Sequence, residues 1–230
     1  MERIDDLGRV ESYYLKYEMS QLFDSDLLQA FELIKVNRLD YICTQEEPLE
    51  YVCFLVEGRA KVVKALANGK TLLLSFYEPF EVIGDVEIIK AMPAVCTVQA
   101  LEQCYLLALP IDKVRAVLKK DIKFLNFICN VLSKKIDYIS HSSSINLLYP
   151  LENRLANYID KTSTLVNDDR GGRCFSENLT QLAELLGISY RHLLRTLNGL
   201  CQAEILERRK EGYRITNEEQ LRKLAEALYK

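Results

Sequence analysis

A chain of 230 residues can hold one large domain or two modest ones, each with its own core. With 49% hydrophobic and 27% charged residues it has the composition of a globular protein rather than a disordered one. Its net charge of −3 argues against indiscriminate binding to nucleic acid, so any DNA contact must come from a local patch.

No run of about 18 consecutive apolar residues occurs, and the opening MERIDDLGRV is charged throughout. Neither a membrane span nor a signal peptide is expected, and the expected compartment is the cytoplasm. Seven cysteines, Cys43, Cys53, Cys96, Cys104, Cys129, Cys174 and Cys201, are scattered without a CxxC pair, several within apolar strings such as YVCFLV and FLNFICNVL. That is the usage of small buried hydrophobes, not of a zinc ribbon or a thioredoxin-like site. No metal site and no cofactor are expected. An iron–sulfur or redox role for Cys43, Cys53, Cys96 or Cys104 stays open, because strands distant in sequence can bring thiolates together.

From about Arg38 to Pro110 short apolar runs alternate with turn signals: LDYIC, YVCFLVEG, RAKVVKAL, KTLLLSFY, EVIGDV, AVCTVQAL and CYLLALP. The alternation in RAKVVKAL, the β-branched content and the Asn68-Gly69 pair predict antiparallel strands with at least one tight hairpin, closed into a sandwich or barrel. From Asp112 to about Ser144 glycine and proline are absent, and Leu125, Ile128, Leu132, Ile136 and Ile139 recur at three- and four-residue steps. This predicts one long helix whose apolar stripe either packs on its own barrel or, the preferred reading, pairs in parallel with a second copy of itself, with Lys134, Lys135 and Asp137 between the stripe residues. His141-Ser-Ser-Ser-Ile-Asn reads as a polar hinge, Pro150 opens another helix, NDDRGGR reads as a loop, and NEEQLRKLAEALYK reads as a closing amphipathic helix.

Between these lies LTQLAELLGISYRHLLRTLNGL. Leu179, Leu182, Ala183 and Leu186 form one face of a first short helix, and Gly187 sits where the chain needs a positive φ to end it. Ser189 is an N-cap for a second helix buried by Leu193, Leu197 and Leu200. Tyr190, Arg191, Leu194, Arg195 and Asn198 then face outward, a polar face with two arginines at a helix start, as major-groove reading requires. The following ERRKEGYRIT predicts a hairpin turning near Glu211-Gly212 with Arg208, Arg209, Lys210 and Arg214 around it, a wing able to grip phosphates.

A β-barrel, one long helix and a winged helix-turn-helix resemble the CRP/FNR family of bacterial transcription regulators, over nearly the whole chain. The motifs that carry the resemblance are FLVEGRAKVV with Gly58, FEVIGDVEII with Gly84-Asp85, and LAELLGISYRHLLRTL. LANGK, LALP and SYRHLL look like its YeiL-type branch. The resemblance implies an α+β chain: an N-terminal antiparallel β-roll of the cyclic-nucleotide-binding type (a double-stranded β-helix) over 1–120, a dimerisation helix and hinge over 121–148, and a winged helix-turn-helix over 149–230. It implies a homodimer on a palindromic DNA site, with RNA polymerase as a further partner and an effector whose identity the residues leave unknown. A ligand-binding regulatory module without DNA binding is the alternative.

Residue by residue, the family's helix-turn-helix places Arg191 where many members carry glutamate and Arg195 where they carry arginine. Ser189, Tyr190 and Leu194 complete the reading surface, while Asn178, Thr180, Arg208, Arg209 and Lys210 hold the backbone. In cyclic-nucleotide-binding members, an arginine and a small hydroxyl residue follow a Gly-Glu pair. Here the effector region carries Gly84, Asp85, Ala94 and Val95, without the arginine, so a cyclic phosphodiester loses its bidentate partner. Cyclic AMP is not expected to bind. The first cysteine is Cys43, which removes the N-terminal cysteine cluster of FNR-like members, and His141 and His192 lie outside the barrel, away from a haem site. The barrel has no histidine for a cupin-type metal enzyme, Asp85 and Glu87 read as turn and edge residues, and no enzymatic activity is expected.

Overall fold

The computed structural model describes residues 1–23, 27–118, 120–166 and 171–226. Elements form ahead of the expected strands: β1 (Glu2–Ile4), α1 (Leu7–Lys16) and β2 (Glu32–Val36) precede Arg38. Asp6 starts α1 by accepting from the Arg9 amide at 2.9 Å. There follow β3 (Tyr41–Cys43), β4 (Tyr51–Glu57), β5 (Ala60–Ala65), β6 (Thr71–Tyr77), β7 (Val82–Ile83), α2 (Asp85–Lys90), β8 (Thr97–Ala100) and β9 (Cys104–Pro110). The run EVIGDV departs from expectation, because only Val82 and Ile83 are extended and Asp85 already begins a helix.

The strands form an antiparallel roll of two sheets, β1-β2-β9-β4-β7 and β3-β8-β5-β6. Asn68-Gly69 closes the β5–β6 hairpin: the Leu66 amide donates to the Lys70 carbonyl at 2.8 Å, and Asn68 Oδ1 accepts from the Lys70 amide at 3.1 Å. β4 and β9 lie inside their sheet with both faces covered, which is why they read as continuous apolar runs rather than alternating ones. Val52, Phe54, Val56, Leu107 and Leu109 face an aromatic cluster with Phe23, Phe31 and Phe124. Their neighbours Cys53, Leu55, Leu106 and Ala108 face Ile42, Val62 and Val98 on the other side.

The glycine-free stretch after Pro110 is two helices, not one: α3 (Ile111–Leu118) and α4 (Ile122–Leu148). Asp121, buried between them, accepts from the Phe124 amide at 2.9 Å, so a new helix starts there although neither proline nor glycine marks the break. α4 then runs on through the polar segment beginning at His141, where a hinge was expected. Its first turns belong to the roll, with Phe124 and Ile128 fully buried and Phe127 and Val131 packed on the aromatic cluster. Ile128, expected on the stripe that meets a second copy, is therefore part of the chain's own core.

The chain divides into two compact units, Met1–Ala65 with Leu73–Ile139, and Ser140–Lys230 with Leu66–Leu72. The second contains α5 (Leu151–Thr162), β10 (Thr164–Leu165), β11 (Arg173–Phe175), α6 (Leu179–Leu185), α7 (Tyr190–Gln202), β12 (Leu206–Arg209), β13 (Gly212–Ile215) and α8 (Glu218–Glu226), with the sheet ordered β10-β11-β13-β12. Part of the NDDRGGR loop (167–170) and the end of the closing helix (227–230) lie outside the described residues. No described helix is long and apolar enough to cross a membrane.

Candidate nucleic-acid interface and effector site

α6 and α7 are set by local chemistry. Asn178 Oδ1 accepts from the amides of Thr180 at 3.0 Å and Gln181 at 3.2 Å, which fixes the start of α6. Gly187 takes φ +68°, and the amides of Gly187 and Ile188 return to the carbonyls of Glu184 and Ala183. Arg154 of α5 donates to the Leu186 carbonyl at 3.3 Å, satisfying an orphan acceptor of that helix end. Ser189 Oγ then caps α7 by accepting from the His192 amide at 3.2 Å.

Leu193, Leu197 and Leu200 are fully buried, and Tyr190, Arg191, Arg195 and Asn198 are exposed, with Leu194 half-buried between the two arginines. Leu182 and Ala183 supply the small, apolar face of α6. The result is a helix anchored by leucines on one side and offering donors on the other, the shape that a major groove accepts.

The wing is a hairpin with Arg209 paired to Gly212 and Lys210-Glu211 at its tip. Gly212 takes φ +116°, and a side chain there would run into the Phe175 carbonyl, so only glycine closes this turn. Arg208 and Lys210 are exposed. Arg209 is half-buried and pairs with Glu207 at 3.2 Å on its own strand. Arg214, expected among the phosphate contacts around the turn, is buried and donates to the Gly171 carbonyl at 2.8 Å. Strand alternation turns it away from Arg208's side of the hairpin. Asn178 and Thr180 are both exposed at the start of α6, and the Asn178 side-chain oxygen is already committed to the cap.

In the roll, Gly84 and Asp85 begin α2, and Asp85 and Glu87 are both buried in its first turn rather than lying at a turn or sheet edge. Glu87 Oε1 accepts from the Val95 amide at 2.9 Å, and Arg115 of α3 donates to the Glu87 carbonyl at 3.2 Å. Ala94 is buried, and its backbone exchanges hydrogen bonds with Glu46 and Glu47. Asp85 itself is met by Lys135 of α4, whose ammonium lies 2.9 Å from Asp85 Oδ2. In the sequence Lys135 is one of the polar residues between stripe positions, and no local signal marks a lysine whose partner lies 50 positions earlier. Asp85 is thus paired within the chain, and alanine and valine stand at positions 94 and 95.

Cys53 and Cys104 lie in the roll's second core cluster, and Cys43 and Cys96 pack against it. Burial pushes the Cys43 and Cys53 thiols up to about 12 and the Cys104 thiol up to about 11, and raises Cys96 as well. Such thiols stay protonated at neutral pH and are poor nucleophiles. Among the described residues, no group of three or more His, Cys, Asp and Glu side chains is placed to hold a metal ion.

Comparison with known proteins matches residues 33–121 to the cyclic nucleotide-binding domain and residues 153–224 to the Crp-like helix-turn-helix domain. The regulatory protein YeiL of Escherichia coli O157:H7 is 38% identical over 186 residues, which cover 81% of this chain and 82% of that protein. Among solved structures, a CRP/FNR-family transcriptional regulator from Thermus thermophilus superimposes with a TM-score of 0.66 at 16% identity, covering 84% of this chain and 98% of that one. The c-di-GMP responsive global regulator CLP of Xanthomonas campestris gives 0.64 at 14% identity, over 91% of this chain and 99% of that one.

Proposed function

From the premise that this chain belongs to the CRP/FNR family of bacterial transcription regulators, with YeiL among its relatives, we propose that it works as a homodimer joined along α4. The dimer reads a roughly palindromic DNA site with α7 and does not answer to cyclic AMP. The chain acts by binding, not by catalysis, in the cytoplasm, and RNA polymerase is the partner expected of a regulator placed at a promoter. A Crp-like helix-turn-helix weighs against a ligand-binding module that never meets DNA.

The observation that carries the dimer is the outer face of α4. Leu125, Ile136 and Ile139 are exposed large apolar side chains, Cys129 is exposed, and Leu132, half-buried, packs in part on the roll's core at the edge of that face. Steps of four, three, four and three residues separate Leu125, Cys129, Leu132, Ile136 and Ile139, the spacing of a coiled-coil seam. Ile128 leaves the seam and Cys129 takes its place. A two-fold axis along such a seam gives two copies of α7, and a palindromic site follows from that symmetry.

The test is to replace Leu132 and Ile139 with glutamate, which sets like charges across the seam while leaving the buried Phe124 and Ile128 untouched. Wild type should sediment as a dimer and protect a palindromic site. The double variant should sediment as a monomer and bind a single half-site weakly. A variant that remains dimeric would show that the copies meet elsewhere.

A further inference from the structure

Lys135 does more than neutralise Asp85. Its ammonium lies 2.9 Å from Asp85 Oδ2, donates to the Val82 carbonyl at 2.7 Å, and sits 4.7 Å from the centre of the Tyr77 ring. The Lys135 side chain is 19% exposed and the Asp85 side chain 5%. A carboxylate, a carbonyl and an aromatic face are what a desolvated ammonium needs. They come from α2, β7 and β6, so one side chain of α4 ties three elements of the roll. Burial alone would lower the Lys135 pKa, but Tyr77 and Asp85 outweigh it and the net shift is upward, so the residue is a cation at any physiological pH. Along α4, Lys135 lies between Leu132 and Ile136 of the seam. Whatever fastens Lys135 therefore also sets which way the seam faces.

We propose that Lys135 is a resident substitute for an effector, a latch whose ammonium fastens α4 to the Gly84-Asp85 step of the roll and holds the seam in its DNA-reading form without a bound nucleotide. The acid of that step, buried in the first turn of α2, is met from within by the chain's own cation. The latch rests on the dimer proposed above for its effect on DNA, but not for its existence. An ammonium paired in this way becomes costly to remove, because the acid left behind is buried without a partner.

Lys135→Met removes the charge, Asp85→Asn removes its partner at nearly constant shape, and Lys134→Met removes one charge from an exposed position on the same helix. Hydrogen exchange over 132–139 reads the latch directly. Both latch variants should speed exchange there and weaken binding to the selected DNA site by roughly tenfold, within the usual range of coupling between sites. Lys134→Met should do neither. Should Lys135→Met fail to fold, Asp85→Asn carries the test alone. Wild type freed of small molecules by unfolding and refolding, and checked by mass, should bind as tightly as protein never unfolded. Unchanged exchange in the folded latch variants overturns the latch, and affinity lost on removing small molecules overturns its role as effector substitute. A wild type that sediments as a monomer overturns the dimer instead, and the exchange result still decides the latch.

Discussion

Replacing Arg191 with alanine tests how α7 reads DNA. Arg191 and Arg195 are both exposed, four residues apart on the same face. Four residues of helix rise about 6 Å, close to two base-pair steps of about 3.4 Å, so the two guanidinium groups can address base pairs two steps apart. Many family members carry glutamate at the Arg191 position, an acceptor suited to cytosine N4. An arginine reverses the polarity and donates to guanine O6 and N7. A bidentate contact of this kind is worth about 1–3 kcal/mol, or roughly 5- to 150-fold in preference at one base pair. The side chain is exposed and alanine favours the helix, so the core under Leu193 and Leu197 is unaffected and the loss appears in DNA binding. Selection from a random DNA pool, run with wild type and Arg191→Ala, should show one position of the half-site losing its preference while the others persist. A variant whose preferred site is unchanged, with uniformly weaker binding and a salt dependence reduced by about one ion, would make Arg191 a phosphate anchor and refute the reasoning.

Cyclic AMP should produce no heat in calorimetry even at millimolar nucleotide, since Ala94 and Val95 offer the phosphate no guanidinium and Asp85 is already paired; micromolar binding would show that an arginine reaches the site from elsewhere. Because the thiols of Cys43, Cys53, Cys96 and Cys104 are buried and raised, DNA affinity should be equal in oxidised and reduced protein; unequal affinity, or metal recovered with anaerobically purified protein, would place a sensor among them. Alkali should weaken the fold. The folded state keeps its protons on Cys43 and Cys53 up to about 12, on Cys104 up to about 11 and on Tyr77 up to about 12, whereas unfolded thiols ionise near 9.0 and phenols near 10.0. Above about pH 9 the unfolded chain therefore holds fewer protons, and stability present below that pH falls as pH rises. Thermal melts should show Tm dropping between about pH 9 and 11, and a flat Tm would mean that these groups are not buried as described.

What the sequence determined by itself is what depends on neighbours within a few residues. The Asn68-Gly69 hairpin, the positive φ of Gly187, the Ser189 cap and the burial of Leu193, Leu197 and Leu200 follow from turn chemistry, capping and period, and the exposed polar face of α7 follows from them. Tertiary structure decided where a side chain had two plausible surroundings. Ile128 and Leu125 have the same apolar character on the same helix, yet one is sealed in the roll and the other is exposed, because the roll covers only one side of α4. Arg214 looks like its basic neighbours in ERRKEGYR, but strand alternation turns it inward to the Gly171 carbonyl. Asp121 breaks a helix that no proline or glycine interrupts, since a buried carboxylate can satisfy the amides of a new first turn. The pairing of Lys135 with Asp85 joins residues 50 positions apart, and only the closure of the roll against α4 brings that ammonium to that acid.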